Sequence, residues 1–173
     1  MILSDSTIKA IITRQKVFLV NPFNEEYLQP NSVDLHLGTE LKKINGKCID
    51  LSQGSYKLKP MEFILGSTEE KIHVPLDLTA RIDGKSSIGR LGVFVHVSAG
   101  MIDAGYTGNI TLEIFNASDE EFELYHGMDI CQILFETLST KVDRPYGSPQ
   151  LNSHYTKQYS HGTVLSRWED EIG

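Results

Sequence analysis

The sequence predicts an all-β fold, a sandwich or barrel, preceded by one short helix and followed by an extended arm. Short apolar or alternating runs recur along the chain, and turn formers such as Asn21, Pro22 and Gly54 separate them. Many short strands at close spacing are typical of sandwiches and barrels. No long helical pattern lies between the runs, which argues against a doubly wound parallel sheet.

The N-terminal element is predicted to be a helix. Residues 4–6 offer N-cap chemistry, and Ile8, Ile11 and Ile12 follow at the spacing of one helical face, so the helix should end near Gln15. The predicted strands then occupy residues 17–20, 33–37, 62–65, 78–82, 93–97, 108–116, 122–124 and 130–135. The stretch from about 145 to 173 is rich in turn formers, tyrosines and polar residues. It is predicted to be an arm that orders over a ligand, packs on a neighbouring subunit or frays.

Composition limits the class of protein. A chain of 173 residues that is 40% hydrophobic is predicted to form one domain covering residues 1–173. No apolar run approaches the ~20 residues of a membrane span, and the N-terminus lacks a signal-peptide pattern, so we expect a cytoplasmic protein with no membrane partner. The net charge of −7 argues against sequence-independent binding to nucleic acid. A local cluster of cations can still hold a small phosphorylated ligand, usually with Mg²⁺. Cys48 and Cys131 lie far apart and are predicted to be buried, reduced thiols.

Glu113 is an unusual charge in a predicted strand. Alternation across residues 108–116 places it on one face with Phe115. A carboxylate surrounded by Leu112, Ile114 and Phe115 would be costly to desolvate, which suits a group that accepts and then donates a proton. The alternative is that this face of the strand is wet, as on many antiparallel sheets.

A second unusual run covers residues 84–90. It is bounded by glycines and holds two cations, Lys85 and Arg90, and two hydroxyls, Ser86 and Ser87. Small residues let backbone N–H groups approach a phosphate, and the cations add charge-assisted hydrogen bonds, so a triphosphate tail fits this inventory. The Walker-loop spacing is absent, and the alternative is a basic turn in solvent. Together with the acidic strand, this run suggests one active site.

Asp103 lies in a loop with three glycines and suits a sugar hydroxyl. The alternative is an Asx turn in which Asp103 bonds its own backbone. The six histidines are scattered without a zinc-deaminase or metalloprotease motif, so we expect hydrolysis without zinc. His96 is predicted to be a hydrogen-bonded sheet histidine. No G-x-S-x-G motif supports serine-esterase chemistry.

A set of motifs appears in order at residues 1–4, 29–38, 84–90, 100–113 and 145–146, followed by Tyr155 and Gln158. On these residues the chain resembles the deoxycytidine triphosphate (dCTP) deaminases of the trimeric deoxyuridine triphosphatase (dUTPase) superfamily, over nearly its full length. The resemblance implies a distorted β-barrel or jelly-roll subunit, assembled as a homotrimer with three active sites between subunits. It also implies catalysis without zinc, and inhibition by thymidine triphosphate (dTTP).

The resemblance implies a role for each candidate residue. Glu113 would shuttle protons for the water that attacks C4 of cytosine, Ser86 and Arg90 would position that water, and Asp103 would hold the deoxyribose 3′-hydroxyl. Main-chain groups of the two residues before Glu113 would read the base, and Mg²⁺ would be bound through the triphosphate. The implied nucleotide-binding set is Lys85, Ser86, Ser87, Ile88, Gly89, Arg90, Asp103, Thr111, Leu112, Glu113, Gln132, Tyr146, His154 and Gln158.

Gly100 and Met101 resemble the subtype that continues from deoxyuridine triphosphate (dUTP) to deoxyuridine monophosphate (dUMP) by releasing diphosphate. The chain departs from the family at His154, where a lysine is usual, and a neutral imidazole is a weaker phosphate partner. Three alternatives remain: a deaminase that releases dUTP, a plain dUTPase, and a catalytically silent nucleotide-binding regulator. The dUTPase alternative is opposed by Glu113 and by the absence of a glycine-rich terminal arm.

Overall fold

The computed structural model describes residues 1–15, 17–151, 153, 155 and 163. Its helices are α1 (Asp5–Arg14) and α2 (Ser86–Gly89), with a 3₁₀ turn at Glu25–Tyr27. The strands are β1 (Val20–Asn21), β2 (Leu28–Gln29), β3 (Ser32–Lys42), β4 (Cys48–Asp50), β5 (Ser55–Leu58), β6 (Phe63–His73), β7 (Leu78–Gly84), β8 (Val93–Phe94), β9 (Met101–Ile102), β10 (Thr107–Asn116), β11 (Phe122–Tyr125) and β12 (Asp129–Thr137). Neither helix in this part of the chain has the length and apolar character needed to cross a membrane.

Ten of the described strands form one antiparallel sheet in the order β8-β10-β6-β3-β12-β7-β9, with β1 beside β6, and with β2 and β4 beside β3. Strand β3 lets this sheet curl, because it changes partners along its length. Its first half pairs with β12 through Val33 and Leu35, its second half pairs with β6, and the register shifts between Leu37 and Leu41. Such irregularities bend a strand and increase its twist, and the result is a curled half-barrel. Strands β5 and β11 form a separate pair.

The core is one cluster of buried apolar side chains to which all the long strands contribute. Its fully buried members include Leu35, Leu37, Leu41, Ile64, Ile72, Leu112, Ile114, Ile133 and Phe135. At the centre of the core, Gly66 allows strands β3, β6 and β10 to approach closely. A Cβ atom there would lie 3.0 Å from Leu37 Cδ1 and 3.1 Å from Ile114 Cδ1, so a side chain would compress the core.

The predicted all-β class and N-terminal helix are confirmed, with Gln15 as the C-cap of α1. Two predicted strands are too long. Of residues 17–20, only Val20 is in a strand, and Pro22, which has no N–H to donate, follows that strand directly. Of residues 93–97, only Val93–Phe94 pair with β10. The sequence analysis did not predict β2, β4, β5, β9 or α2.

The two cysteines differ in environment. Cys131 is 0% exposed, as expected, and burial raises the pKa of its thiol. Cys48 is exposed, so its predicted burial is wrong. It starts the three-residue strand β4, in which Ile49 is the less exposed residue, and alternation therefore directs Cys48 towards solvent.

Candidate active site

Glu113 lies on β10, whose side chains alternate between the core and a half-exposed face. Leu112 and Ile114 are 0% exposed, whereas Glu113 and Phe115 share the opposite, half-exposed face. The predicted alternation is therefore confirmed. The expectation that Leu112 and Ile114 surround the carboxylate is wrong, because neighbours in a strand point to opposite faces.

Backbone donors hold the Glu113 carboxylate in an open cleft. Its Oε2 atom accepts hydrogen bonds from the Val97 N–H at 2.9 Å and from the Ser98 N–H at 3.4 Å. The Oε1 atom has no hydrogen-bond partner among the described residues. The cleft has a volume of about 470 Å³ and is lined by Phe63, Val97, Ser98, Glu113 and Phe115. Its apolar wall comes from Phe115 and from Phe63, which lies opposite Phe115 on β6.

The run at residues 85–90 forms the short helix α2 and its two caps. Ser86, Ser87 and Arg90 are exposed, whereas Ile88 is only 5% exposed and anchors the helix in the core. The Arg90 N–H donates to the Ser86 carbonyl at 3.0 Å, which closes the turn. The helix therefore presents two hydroxyls and a guanidinium at the surface, an arrangement that fits both a phosphate-binding segment and the alternative of a basic turn in solvent.

Lys85 is engaged within the chain. Its Nζ atom donates to Asp34 Oδ2 at 2.7 Å and also to Asp129 Oδ2. Burial works to lower the pKa of Lys85, but the hydrogen bonds to Asp129 and Asp34 outweigh it, so the pKa is raised. The ammonium therefore stays charged, and two carboxylates compete with any phosphate for it.

The segment after β8 contacts both the Glu113 strand and the end of β7, directly before α2. The Val95 carbonyl accepts a hydrogen bond from the Glu113 N–H at 3.0 Å. Val95 Cγ2 lies 3.6 Å from the position that a Cβ on Gly84 would take. No hydrogen bond or ion pair joins the Glu113 side chain to residues 85–90 in the part of this single chain that the structure describes. A site that joins these two segments across subunits therefore stays a prediction.

The Asp103 loop is fixed to the start of the C-terminal arm. Gly105 has a φ of +91°, and a Cβ there would lie 2.7 Å from Pro145 Cβ. The Tyr146 N–H donates to the Ala104 carbonyl at 2.8 Å, and the Tyr146 and Tyr106 rings meet edge to face with centroids 5.6 Å apart. The fold thus brings two predicted nucleotide contacts, Asp103 and Tyr146, to one loop cluster.

Asp103 itself is exposed, and its carboxylate makes no hydrogen bond within the described chain. Its main-chain carbonyl accepts from the Tyr106 N–H at 3.1 Å. This arrangement disfavours the Asx-turn alternative, because the side chain does not bond its own backbone, and it leaves the carboxylate accessible.

Gly100 and Met101 stand next to the segment that holds Glu113. A Cβ on Gly100 would lie 3.0 Å from the Ile82 carbonyl oxygen and 3.3 Å from Cε1 of His96, so a larger residue would press on the His96 ring. Met101 is 73% exposed. His96 was expected to be hydrogen-bonded, but its buried Nδ1 has no partner in the described part of the chain.

Gln132 lies on β12 opposite Asp34, and its Oε1 accepts a hydrogen bond from Ser32 Oγ at 3.0 Å. It therefore sits beside the Lys85 ion pair. His154 and Gln158, which the resemblance assigned to the nucleotide, lie outside the described residues. Within the described ranges, no group of three or more His, Cys, Asp or Glu is arranged to hold a metal ion.

Sequence reasoning missed the residues that support the candidate site. The Val97 and Ser98 amides reach Glu113 only through a tertiary contact, which no local pattern reveals. Asp34 had a usable signal, since it is a charge between Val33 and Leu35 in a strongly apolar strand.

The fold can be compared with a solved structure. The crystal structure of 2′-deoxycytidine 5′-triphosphate deaminase from Agrobacterium tumefaciens matches with a TM-score of 0.67 and 25% sequence identity. The match covers 79% of this chain and 48% of that chain. The curled sheet is therefore of the class found in that deaminase.

The chain belongs to the dCTP deaminase-like family, whose model matches residues 2–138. Two relatives that bear the name "dCTP deaminase, dUMP-forming" are similar over almost the whole chain. The one from Methanobrevibacter smithii is 42% identical, and the match covers 91% of each chain. The one from Methanothermobacter thermautotrophicus is 41% identical, and the match covers 99% of this chain and 96% of that protein. The resemblance drawn from the motifs is thus confirmed.

Proposed function

We propose that this protein is an enzyme that deaminates dCTP by hydrolysis and couples this step to diphosphate release, so that the product is dUMP. Relatives named for this reaction match over 91% or more of the chain. The observation that carries the chemistry is the Glu113 carboxylate, which two backbone N–H groups orient in an open cleft.

Glu113 acts as a proton shuttle. Because Oε2 is occupied by the Val97 and Ser98 amides, Oε1 is the oxygen that meets a water molecule. The water gives one proton to Oε1 as its oxygen bonds to C4 of cytosine, and Glu113 passes that proton to N3 of the ring. Glu113 then carries the remaining hydroxyl proton to the amino group, which leaves as ammonia while the C4 carbonyl forms. A C–O bond forms, a C–N bond breaks, one water is consumed and the carboxylate is regenerated.

The triphosphate binds to the exposed groups of α2. The Ser86 and Ser87 hydroxyls and the Arg90 guanidinium are accessible, and charge-assisted hydrogen bonds to phosphate suit them. Arg90 and Ser86 also help to position the water. The accessible carboxylate of Asp103 accepts a hydrogen bond from the deoxyribose hydroxyl, and Tyr146 contacts the nucleotide from the same loop cluster.

The cytosine ring is read by the main chain of β10. On one side, Thr111 and Leu112 pair with Ser67 and Gly66 of β6. On the other side, β8 reaches only Phe115 and Asn116, so the described chain places no strand beside Thr111 and Leu112 there. Backbone N–H and C=O groups on that edge can therefore meet the polar edge of a pyrimidine.

Mg²⁺ accompanies the nucleotide. Since the described residues offer no cluster of acidic side chains or histidines for a metal, the phosphates and water would coordinate the ion, while Arg90 and the α2 hydroxyls contact the phosphate oxygens. When bound, Mg²⁺ offsets the negative charge of the triphosphate, which matters for a chain with a net charge of −7.

The active enzyme is a homotrimer. Val97, which lines the Glu113 cleft, and Phe94, which pairs with the cleft residue Phe115, are 60% and 55% exposed. Leu91, in the same segment of the chain, is 58% exposed, and exposed apolar surface of this kind is typical of an interface. A neighbouring subunit on this surface would bring its α2 to the cleft. Sedimentation equilibrium should give three times the chain mass, and a monomer that remains fully active would contradict this assembly.

Product analysis after incubation with dCTP and Mg²⁺ tests the proposed reaction. We expect ammonia, diphosphate and dUMP in equal amounts, without free dUTP. Accumulation of dUTP would show a deaminase that stops after the first step. Diphosphate release from dUTP without any ammonia from dCTP would show a dUTPase, and nucleotide binding without turnover would show a silent regulator. Adding dTTP to the same assay tests feedback inhibition.

A further inference from the structure

The Lys85 ammonium lies in a partly buried acidic environment, held between two carboxylates. Its side chain is 20% exposed, and those of its partners Asp34 and Asp129 are 8% and 48% exposed. One ammonium between two carboxylates carries a net negative charge, which disfavours a further anion. This geometry differs from that of a phosphate ligand such as Arg90, whose side chain is exposed.

Lys85 also begins α2. Its carbonyl accepts hydrogen bonds from the Ile88 N–H at 3.0 Å and the Gly89 N–H at 2.9 Å. The next carbonyl, that of Ser86, accepts from the Arg90 N–H. The main chain of Lys85 is thus bonded to α2 while its side chain is bonded to β3 and β12, so the residue connects the helix to the sheet.

Asp34 is the fixed end of this connection. It lies on β3 between Val33 and Leu35, which are 1% and 0% exposed. Its Oδ2 atom accepts from Gln29 Nε2 at 2.9 Å as well as from Lys85. A carboxylate this deeply buried requires a cation, because an unpaired buried charge is strongly destabilising. Asp34 therefore holds the ammonium in one place.

We propose that Lys85 is a positioning residue, anchored by Asp34, that fixes α2 and thereby sets the location of Ser86 and Arg90. Its ammonium serves the protein's own carboxylates and does not bind the triphosphate. The inference rests on the proposed function in one respect, because the proposed function is what gives Ser86 and Arg90 their roles in the reaction.

The kinetic test compares Asp34→Asn, Lys85→Met and the double variant with wild type. Both single variants release the connection, so each should lower kcat for dCTP at least 10-fold, and any rise in KM should accompany that loss, because α2 also carries the proposed phosphate contacts. The double variant should resemble the single variants, because the same connection is lost. Lys43→Met is the matched control, since Lys43 forms a comparable pair with Glu62 at 2.9 Å. It should leave kcat and KM unchanged.

Amide hydrogen exchange gives a second readout that needs no activity. Asp34→Asn and Lys85→Met should each speed exchange at least 10-fold at residues 88–90. Lys85→Met should also lower the melting temperature by several degrees, and adding Asp34→Asn should restore most of it, because the unpaired carboxylate is then gone. If Lys85→Met does not fold, Asp34→Asn and the double variant supply the comparison.

The outcomes separate this inference from the proposed function. A 10-fold rise in KM for Lys85→Met with kcat retained would make Lys85 a phosphate ligand and overturn the inference. Unchanged exchange at residues 88–90 would overturn it whatever the kinetics. Wild-type protein without deaminase activity would end the proposed function, while exchange and melting would still decide whether Lys85 positions α2.

Discussion

Replacing Glu113 by glutamine removes the proposed proton shuttle and preserves the shape of the side chain. The glutamine Oε1 can still accept from the Val97 N–H, so the lost stability is the difference between a charge-assisted and a neutral hydrogen bond, about 1 kcal/mol. The catalytic loss is larger, because general acid–base catalysis contributes about 10²–10⁴-fold, or roughly 3–5 kcal/mol of activation free energy. We therefore expect kcat for ammonia release from dCTP to fall by at least about 100-fold.

The assay measures kcat and KM for dCTP together with the thermal unfolding midpoint. KM should change little, because Glu113 contacts the water and not the phosphates. Glu123→Gln is the matched control, since this exposed glutamate lies on β11 and bonds Ser55 Oγ. It should behave as wild type. A Glu113→Gln enzyme that keeps more than about one tenth of wild-type kcat would refute the shuttle, because a hundredfold contribution cannot survive its removal.

Three further predictions concern stability and reactivity. Gly105→Ala should lower the free energy of unfolding by about 2–4 kcal/mol, because the new Cβ would meet a proline side chain at 2.7 Å and φ is +91°. Gly127 has a φ of +76°, but a Cβ there would meet no atom within 4 Å. Gly127→Ala should therefore lower the free energy of unfolding, measured by urea denaturation, only by the backbone strain, about 1–2 kcal/mol. Iodoacetamide should modify the exposed Cys48 much faster than Cys131, whose thiol pKa burial raises, and equal rates by peptide mapping would contradict the core assignment. Partial burial lowers the pKa of His73 below that of an unfolded histidine. As pH falls through about 6.5, the unfolded chain therefore binds more protons than the folded chain, and the free energy of unfolding declines. His73→Gln should flatten that decline in urea titrations between pH 7.5 and 5.

The sequence predicts elements best where one local pattern decides the structure. The isoleucine spacing of α1 was sufficient, although the side chain of its N-cap residue, Ser4, makes no capping hydrogen bond. The alternation that places Glu113 on the half-exposed face of β10 was sufficient as well. Strand β3 could not be predicted in full. It pairs first with β12 and then with β6, and its length and its bend between Leu37 and Leu41 depend on this change of partner, which lies outside the local sequence. Short strands such as β4 and β5 contain too few residues to show a period.

The candidate site was predictable in its residue types and less so in its contacts. The run at residues 84–90 indicated phosphate chemistry through its small and cationic residues. It did not reveal that Lys85 would be taken by carboxylates 51 and 44 positions away in the sequence. Residues 93–97 were predicted as one strand from local hydrophobicity, but strand pairing ends at Phe94. Beyond it, the Val95 carbonyl accepts the Glu113 N–H and the Val97 N–H donates to the Glu113 carboxylate, which local hydrophobicity did not indicate.

Asp34 and Glu113 show how surroundings separate two carboxylates that look alike in sequence, since each interrupts an apolar strand. Asp34 is 6% exposed and shares one oxygen between an amide and an ammonium, so its charge is paired with a cation inside the fold. Glu113 is half-buried, has only neutral backbone donors on one oxygen and opens its other oxygen to a cleft of about 470 Å³. An oxygen that is shared by two donors is not available to a water molecule, whereas a free oxygen that faces a cleft can meet one. The difference in partners therefore assigns positioning to Asp34 and proton transfer to Glu113.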